Sequence, residues 1–158
     1  MATNFLEYSG GTNGFLTTPT SLVTTELNTL SNGNSATQSV AGNFSQASFG
    51  SGIWGIADFV AGGAFTPTAG GYLAAWFLFS PDGGTTFEKT VSNIDMPRPP
   101  DFTIPLTTAA YASSDVAQAS GIIRLPWWTW KTFVVNHAGA ALPATGNIIK
   151  LASVAVQY

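Results

Sequence analysis

The sequence predicts an all-β fold, an antiparallel sandwich or barrel with at most one or two short helical turns. Three observations lead there. Short runs rich in Ile, Val, Phe and Trp are punctuated by Gly, Pro, Ser, Thr and Asn, the rhythm of strands and turns. No long stretch repeats its apolar residues at the 3.6-residue period of an amphipathic helix. The 158-residue length suits one hydrophobic core, so residues 1–158 read as a single domain.

The first fifty residues are the least patterned. Leu22, Val23, Leu27 and Leu30 fit either a short helix or, alternating with Thr24, Glu26 and Asn28, a strand, and Asn32-Gly33 marks a turn. From Asn34 to Gly50 the chain is small and polar, anchored by Val40, Phe44 and Phe49, which suggests weak strands or an extended N-terminal arm within residues 1–50. Ile53 to Val60 and Tyr72 to Ser80 read as central strands. The turn Ser80-Pro81-Asp82-Gly83-Gly84 follows: proline presets φ, aspartate bonds the local backbone and glycine accepts positive φ. Thr85 to Val91 is therefore expected to return as the second strand of a hairpin.

Met96-Pro97-Arg98-Pro99-Pro100 suits neither a helix nor an interior strand, because its prolines lack donors and fix φ, and is expected to cross the molecule in extended form. Asp101 to Leu106 re-enters a sheet at an edge. Thr107 to Ser120 is small and Ala-rich, a loop or helical turn. Ile122 to Leu125 and Trp127 to Asn136 read as one long strand kinked at Pro126, and after the loop His137 to Gly146 the last strand occupies Asn147 to Tyr158.

Composition narrows the function classes. Only 8% of the chain is charged against 13% aromatic, where a soluble domain carries about a quarter charged residues. The net charge is -3, and the five cations Lys89, Arg98, Arg124, Lys131 and Lys150 are scattered, so no basic stripe addresses phosphates and no nucleic-acid partner is expected. With no cysteine there are neither disulfides nor thiolate metal sites. Met1 to Gly11 carries Glu7 and no Lys or Arg, unlike the basic start of a secretory signal. The longest apolar run, Tyr72 to Phe79, is far short of the roughly 20 residues that span a bilayer, so no membrane partner is expected either.

Strands with one wet face alternate apolar and polar residues, but here they do not. Leu73, Ala75, Phe77 and Phe79 oppose Tyr72, Ala74, Trp76 and Leu78; Ile53, Ala57 and Phe59 oppose Trp54, Ile56 and Val60; and Trp127, Trp128 and Trp130 fall on both sides of their strand. One interior cannot hold both sets, so the second faces call for loops, copies of the same chain or another protein. Trp54, Trp76, Phe77, Trp127, Trp128 and Trp130 are the expected subunit or capsid interface. The last three tryptophans also suit a stacking platform for sugar rings, with packing favoured because no ring of Asp, Asn or Arg adjoins them in sequence.

No catalytic constellation stands out, and no enzyme, metal or cofactor is expected. His137 is the only histidine and opens a loop without nearby ligands. Asp82, Glu88, Asp95 and Asp101 are the nearest set for a hydrolytic carboxylate pair, yet Asp82 is explained by its turn and Asp95 and Asp101 flank the proline segment. The pairs Gly10-Gly11, Gly62-Gly63 and Gly83-Gly84 lack the lysine and helix of a phosphate loop.

Three segments carry a resemblance. Trp76 to Glu88, the run Pro97-Arg98-Pro99-Pro100-Asp101-Phe102-Thr103-Ile104-Pro105-Leu106, and the ending Asn136 to Tyr158 with Leu142 to Leu151 are similar to small virion proteins of tailed bacteriophages. The resemblance implies a jelly-roll sandwich of the cement or decoration type: a homotrimer, made in the host cytoplasm, that stabilises the shell by contacts with the major capsid protein and has no active site. Two alternatives remain, a tail or fibre component with a carbohydrate-binding surface and a hydrolase.

Overall fold

In the computed structural model residues 19–38, 44–45 and 54–154 are described. Among them nine strands run in order: β1 (Thr20–Val23), β2 (Ser35–Thr37), β3 (Trp54–Val60), β4 (Tyr72–Phe79), β5 (Phe102–Pro105), β6 (Val116–Gln118), β7 (Ile123–Arg124), β8 (Trp130–His137) and β9 (Ile148–Val154). A single 3-10 turn, Thr25–Leu27, is the only helical element among these residues. The strands form two antiparallel sheets, β1-β9-β3-β6 with β7 also beside β3, and β2-β8-β4-β5, and the protein is an all-β sandwich.

The pairing is nested. β1 pairs β9, β2 pairs β8, β3 pairs β6 and β7, and β4 pairs β5, as if one long hairpin had been closed from its ends inward. Two lateral ladders, β3 with β9 and β4 with β8, then fold that hairpin across itself into two layers. Between the layers Leu73, Ala75 and Phe77 of β4 and Trp130 and Val134 of β8 face Ala57, Phe59, Ile149 and Leu151. Phe77 and Trp130 form the closest aromatic contact there, with centroids 4.3 Å apart.

The outer face of the β4–β8 pair is also dry, and the same chain seals it. Ala74, Trp76, Leu78, Phe133 and Val135 form a second apolar cluster with Met96 and Phe87, which come from the segment after β4. Of the three covers the sequence allows, loops, copies of the chain or another protein, this face takes the first. The hairpin expected over Thr85 to Val91 is corrected: β8 holds one edge of β4, β5 pairs only Tyr72–Ala75 of the other, and beyond it the Phe77 amide and carbonyl are taken by the side chains of Asp101 and Arg98. After the 3.1 Å bond from Glu88 N to Phe79 O the chain instead crosses the sheet as a strap.

Side chains pin the strap along its length. Trp76 Nε1 donates to Arg98 O at 3.0 Å, the Lys131 ammonium lies 4.4 Å from the Phe87 ring centroid, and Ser35 and Asn93 exchange two bonds of 3.0 and 2.9 Å. His137, stacked on Tyr72 at 4.8 Å, meets Asp95 at 2.9 Å. The turn that launches the strap is the one the sequence predicts, with φ of 72° at Gly83 and 109° at Gly84.

Three further expectations shift. Leu22 and Val23 lie on β1, Leu27 ends the 3-10 turn and Leu30 follows it, and all four are buried, so residues 20–37 pack within the sandwich. Of the rest of the supposed arm, Gln38 and Phe44 bond the β8 side of the sandwich and residues 1–18, 39–43 and 46–50 lie outside the described residues. The Ala-rich stretch contributes β6, which pairs Val116–Gln118 with Asp58–Val60. Pro126 does not kink one strand but divides two: β7 lies in the first sheet and β8 in the second, because a residue without N–H cannot continue the ladder.

Trp76 is 1% exposed and fills the space between sheet and strap. Trp76→Ala is expected to cost about 3–5 kcal/mol in denaturant unfolding. Trp76→Phe, which keeps much of the volume and loses the bond to Arg98 O, should cost less. Equal stability of wild type and Trp76→Ala would show that the strap does not pack on the sheet in solution.

Candidate binding groove

The six residues expected at an interface divide into two groups. Trp76, Phe77 and Trp130 are at most 1% exposed inside the protomer, so they are interior and not available at its surface. Trp54 is 38% exposed and Trp127 and Trp128 are each 64% exposed. The difference is one of position: Trp76, Phe77 and Trp130 stand on the central pair β4–β8, whereas Trp127 and Trp128 follow Pro126 in the crossing between sheets, where no neighbouring strand reaches them.

At this end of the sandwich the two layers leave an open groove of about 420 Å³, within the range of small-ligand sites. Phe77 and Leu125 line its buried part, and Phe79, Asp101, Arg124, Pro126, Trp127 and Trp128 complete it. Each arrives by a different route. Phe79 is the last residue of β4, Asp101 ends the strap just before β5, and Arg124 ends β7.

The acidic side is held rigidly. Asp101 Oδ2 accepts from Phe77 N at 2.7 Å and from Arg98 Nη1 at 2.9 Å. Arg98 Nη2 in turn donates to Phe77 O at 2.8 Å and to Glu88 Oε2 at 3.2 Å, and the guanidinium carbon lies 5.7 Å from the Phe79 centroid. Partial burial works against the Arg98 charge, but hydrogen bonds and attraction from Glu88 and Asp101 outweigh it and raise the pKa above the ordinary arginine value. The side chain of Arg124 is exposed and makes no hydrogen bond or ion pair with another described residue. The arrangement offers flat apolar rings, a fixed carboxylate acceptor and a planar fork of N–H donors.

The remaining acids serve local structure. Asp95 holds His137, Asp58 accepts from Gln118 Nε2 at 3.2 Å, and Glu88 and Asp101 share Arg98. Among the described residues no three His, Asp or Glu side chains gather as a metal site. Sequence reasoning missed the polar partners of the tryptophans: Arg124 stands three positions before Trp127, but Asp101 comes from the other sheet and only the fold brings it near.

Comparison with family models, curated proteins and solved structures finds no match to this chain.

Asp82 provides a pH probe of the turn beneath the strap. It accepts from Thr86 N at 2.8 Å, Thr86 Oγ1 at 2.7 Å, Ser80 Oγ at 2.8 Å and Thr85 N at 3.1 Å. The Thr86 bonds foremost hold its pKa at about 2, below the ordinary 3.8. Because the folded-state value is the lower one, this contribution is complete above 3.8 and is lost as pH falls through about 2. The Thr86 amide signal followed by NMR during acid titration should therefore change with a midpoint near 2; a midpoint near 3.8 would mean that the turn does not bind the carboxylate.

Proposed function

We propose that the protein is a non-catalytic structural component of a bacteriophage virion that binds the capsid shell through apolar and β-edge contacts. The reading starts from the resemblance that Trp76 to Glu88, Pro97 to Leu106 and Asn136 to Tyr158 suggest in the sequence. The nested strand order also supports it, since a long hairpin rolled into two sheets is how a jelly roll is built.

The single observation that carries the proposal is the margin formed by β6 and β7. Both strands pair only with β3 among the described strands, which leaves one side of each without a ladder partner. Proteins usually guard such edges with charge, because an open edge templates pairing with another chain. Here the charge is confined to Arg124 of β7 and Asp115 just before β6, and between them Val116 is 56% exposed and Ile122 55%, with Trp54 beside Arg124 across the β3–β7 ladder. An apolar, open edge suits strand addition by a neighbour. Repeated around a threefold axis, modest contacts of this kind gain strength through multiple attachment.

Sedimentation of the full chain should give a trimer, and the protein should pellet with empty phage heads. Val116→Lys combined with Ile122→Lys should abolish pelleting and lower the oligomeric state while leaving the melting temperature within a few degrees of wild type, as surface changes do. A wild-type monomer that ignores empty heads would overturn the reading.

A further inference from the structure

We propose that the groove between Phe79, Trp127 and Trp128 binds a neutral carbohydrate, a hexopyranose unit whose apolar C–H face stacks on tryptophan. This inference stands apart from capsid attachment, because it turns on Phe79, Trp127 and Trp128 whereas the proposed shell contact turns on Val116 and Ile122; Arg124, at the end of β7, borders both.

The first support is the exposure of the rings. Trp127 and Trp128 are the two most exposed large apolar side chains among the described residues, at 64% each, and both line one groove. Consecutive tryptophans held in water with no neighbour are costly to leave open, since each carries about 150–250 Å² of surface. The polar flanks of this groove argue against a purely apolar occupant. Asp101 and Arg124 both line it, and charged residues are depleted from the centres of protein interfaces.

The second support is charge balance. Around the groove Arg98 and Arg124 are matched by Glu88 and Asp101, and the whole chain carries a net charge of -3. Binding of single-stranded nucleic acid couples aromatic stacking to a positive channel, and that channel is missing here. A sugar needs the opposite arrangement: its hydroxyl groups donate and accept together, so a carboxylate and a guanidinium on one rim satisfy both roles. Gluco- and galacto-configured rings also present a face of axial C–H bonds, electropositive at hydrogen, to the electron-rich face of an indole.

The third support is rigidity. Asp101 Oδ2 is committed to Phe77 N and Arg98 Nη1, at 2.7 and 2.9 Å, which fixes the carboxylate plane. Asp101 Oδ1 makes no hydrogen bond with another described residue. A preorganised acceptor beside stacking rings lowers the ordering cost of binding a small ligand.

The test uses the full chain against methyl β-glucoside, methyl β-galactoside, their β-linked disaccharides and, as an anionic control, heparin. Binding is read by calorimetry and by tryptophan fluorescence. Saturable binding of a neutral saccharide is expected, weakened about tenfold or more by Trp127→Ala with Trp128→Ala and reduced by Arg124→Ala. All these changes lie on exposed residues, and unchanged melting curves will show that the variants fold. No binding of any neutral sugar at millimolar concentration, binding indifferent to the tryptophan pair, or binding of heparin alone would each overturn the proposal. Pelleting of the tryptophan variants with phage heads separates this result from capsid attachment: a loss of sugar binding with pelleting retained supports the groove, and a loss of both would make the pair a shell contact instead.

Discussion

The antiparallel ladder between β4 and β8 is the interaction on which the rest of the molecule depends. Its register runs unbroken from Tyr72 opposite His137 to Phe79 opposite Trp130, eight residue pairs in the middle of one sheet. One side of this ladder supplies Leu73, Ala75, Phe77, Trp130 and Val134 to the interior; the other supplies Trp76, Leu78, Phe133 and Val135 to the second cluster. Alternation by two makes that division automatic. A slip of one residue would exchange the two faces and bring Trp76 against the opposite sheet, so the shapes of both clusters fix the register.

A ladder that is apolar on both faces demands two covers, and only one is a sheet. The strap provides the other with little regular structure of its own. Its backbone groups are therefore satisfied by side chains and by the sheet, including the Asn93–Ser35 exchange and the Trp76 bond to Arg98 O. Proline suits this role. At Pro97, Pro99 and Pro100 there is no N–H to satisfy, and an extended backbone is already favoured where the chain must run flat across a surface. The low charge of the chain follows in part from the same arrangement, because the strap hides the outer face that would otherwise have to be polar.

Much of this was legible in the sequence, and what was not has a physical explanation. The two central strands, the turn at Asp82, the edge strand after the prolines and the final strand follow from local pattern. The hairpin over Thr85 to Val91 does not form because one β4 edge is held by β8 and the other by β5 and then by the Asp101 and Arg98 side chains on Phe77, none of which local pattern reveals. Dryness on both faces was read correctly at Trp76, but periodicity carries no information about which chain supplies the cover. For the groove, the tryptophans were visible as candidates. Their partner Asp101 was not, since the 25 positions between Asp101 and Trp127 are closed only when the strap and the β7–β8 crossing meet at the same end of the sandwich.

The strap also links stability to the groove. Arg98 binds the carbonyl of Phe77 in the ladder, while Asp101 binds the amide of the same residue and Arg98 itself. One peptide neighbourhood in β4 thus fixes both the end of the strap and the carboxylate on the groove rim. Arg98 is a planar donor with several N–H groups, and lysine offers no equivalent fork for a carbonyl and two carboxylates at once. The position of Asp101 is therefore a consequence of how the outer face is sealed, and the groove inherits its rigidity from the cover of the second apolar cluster.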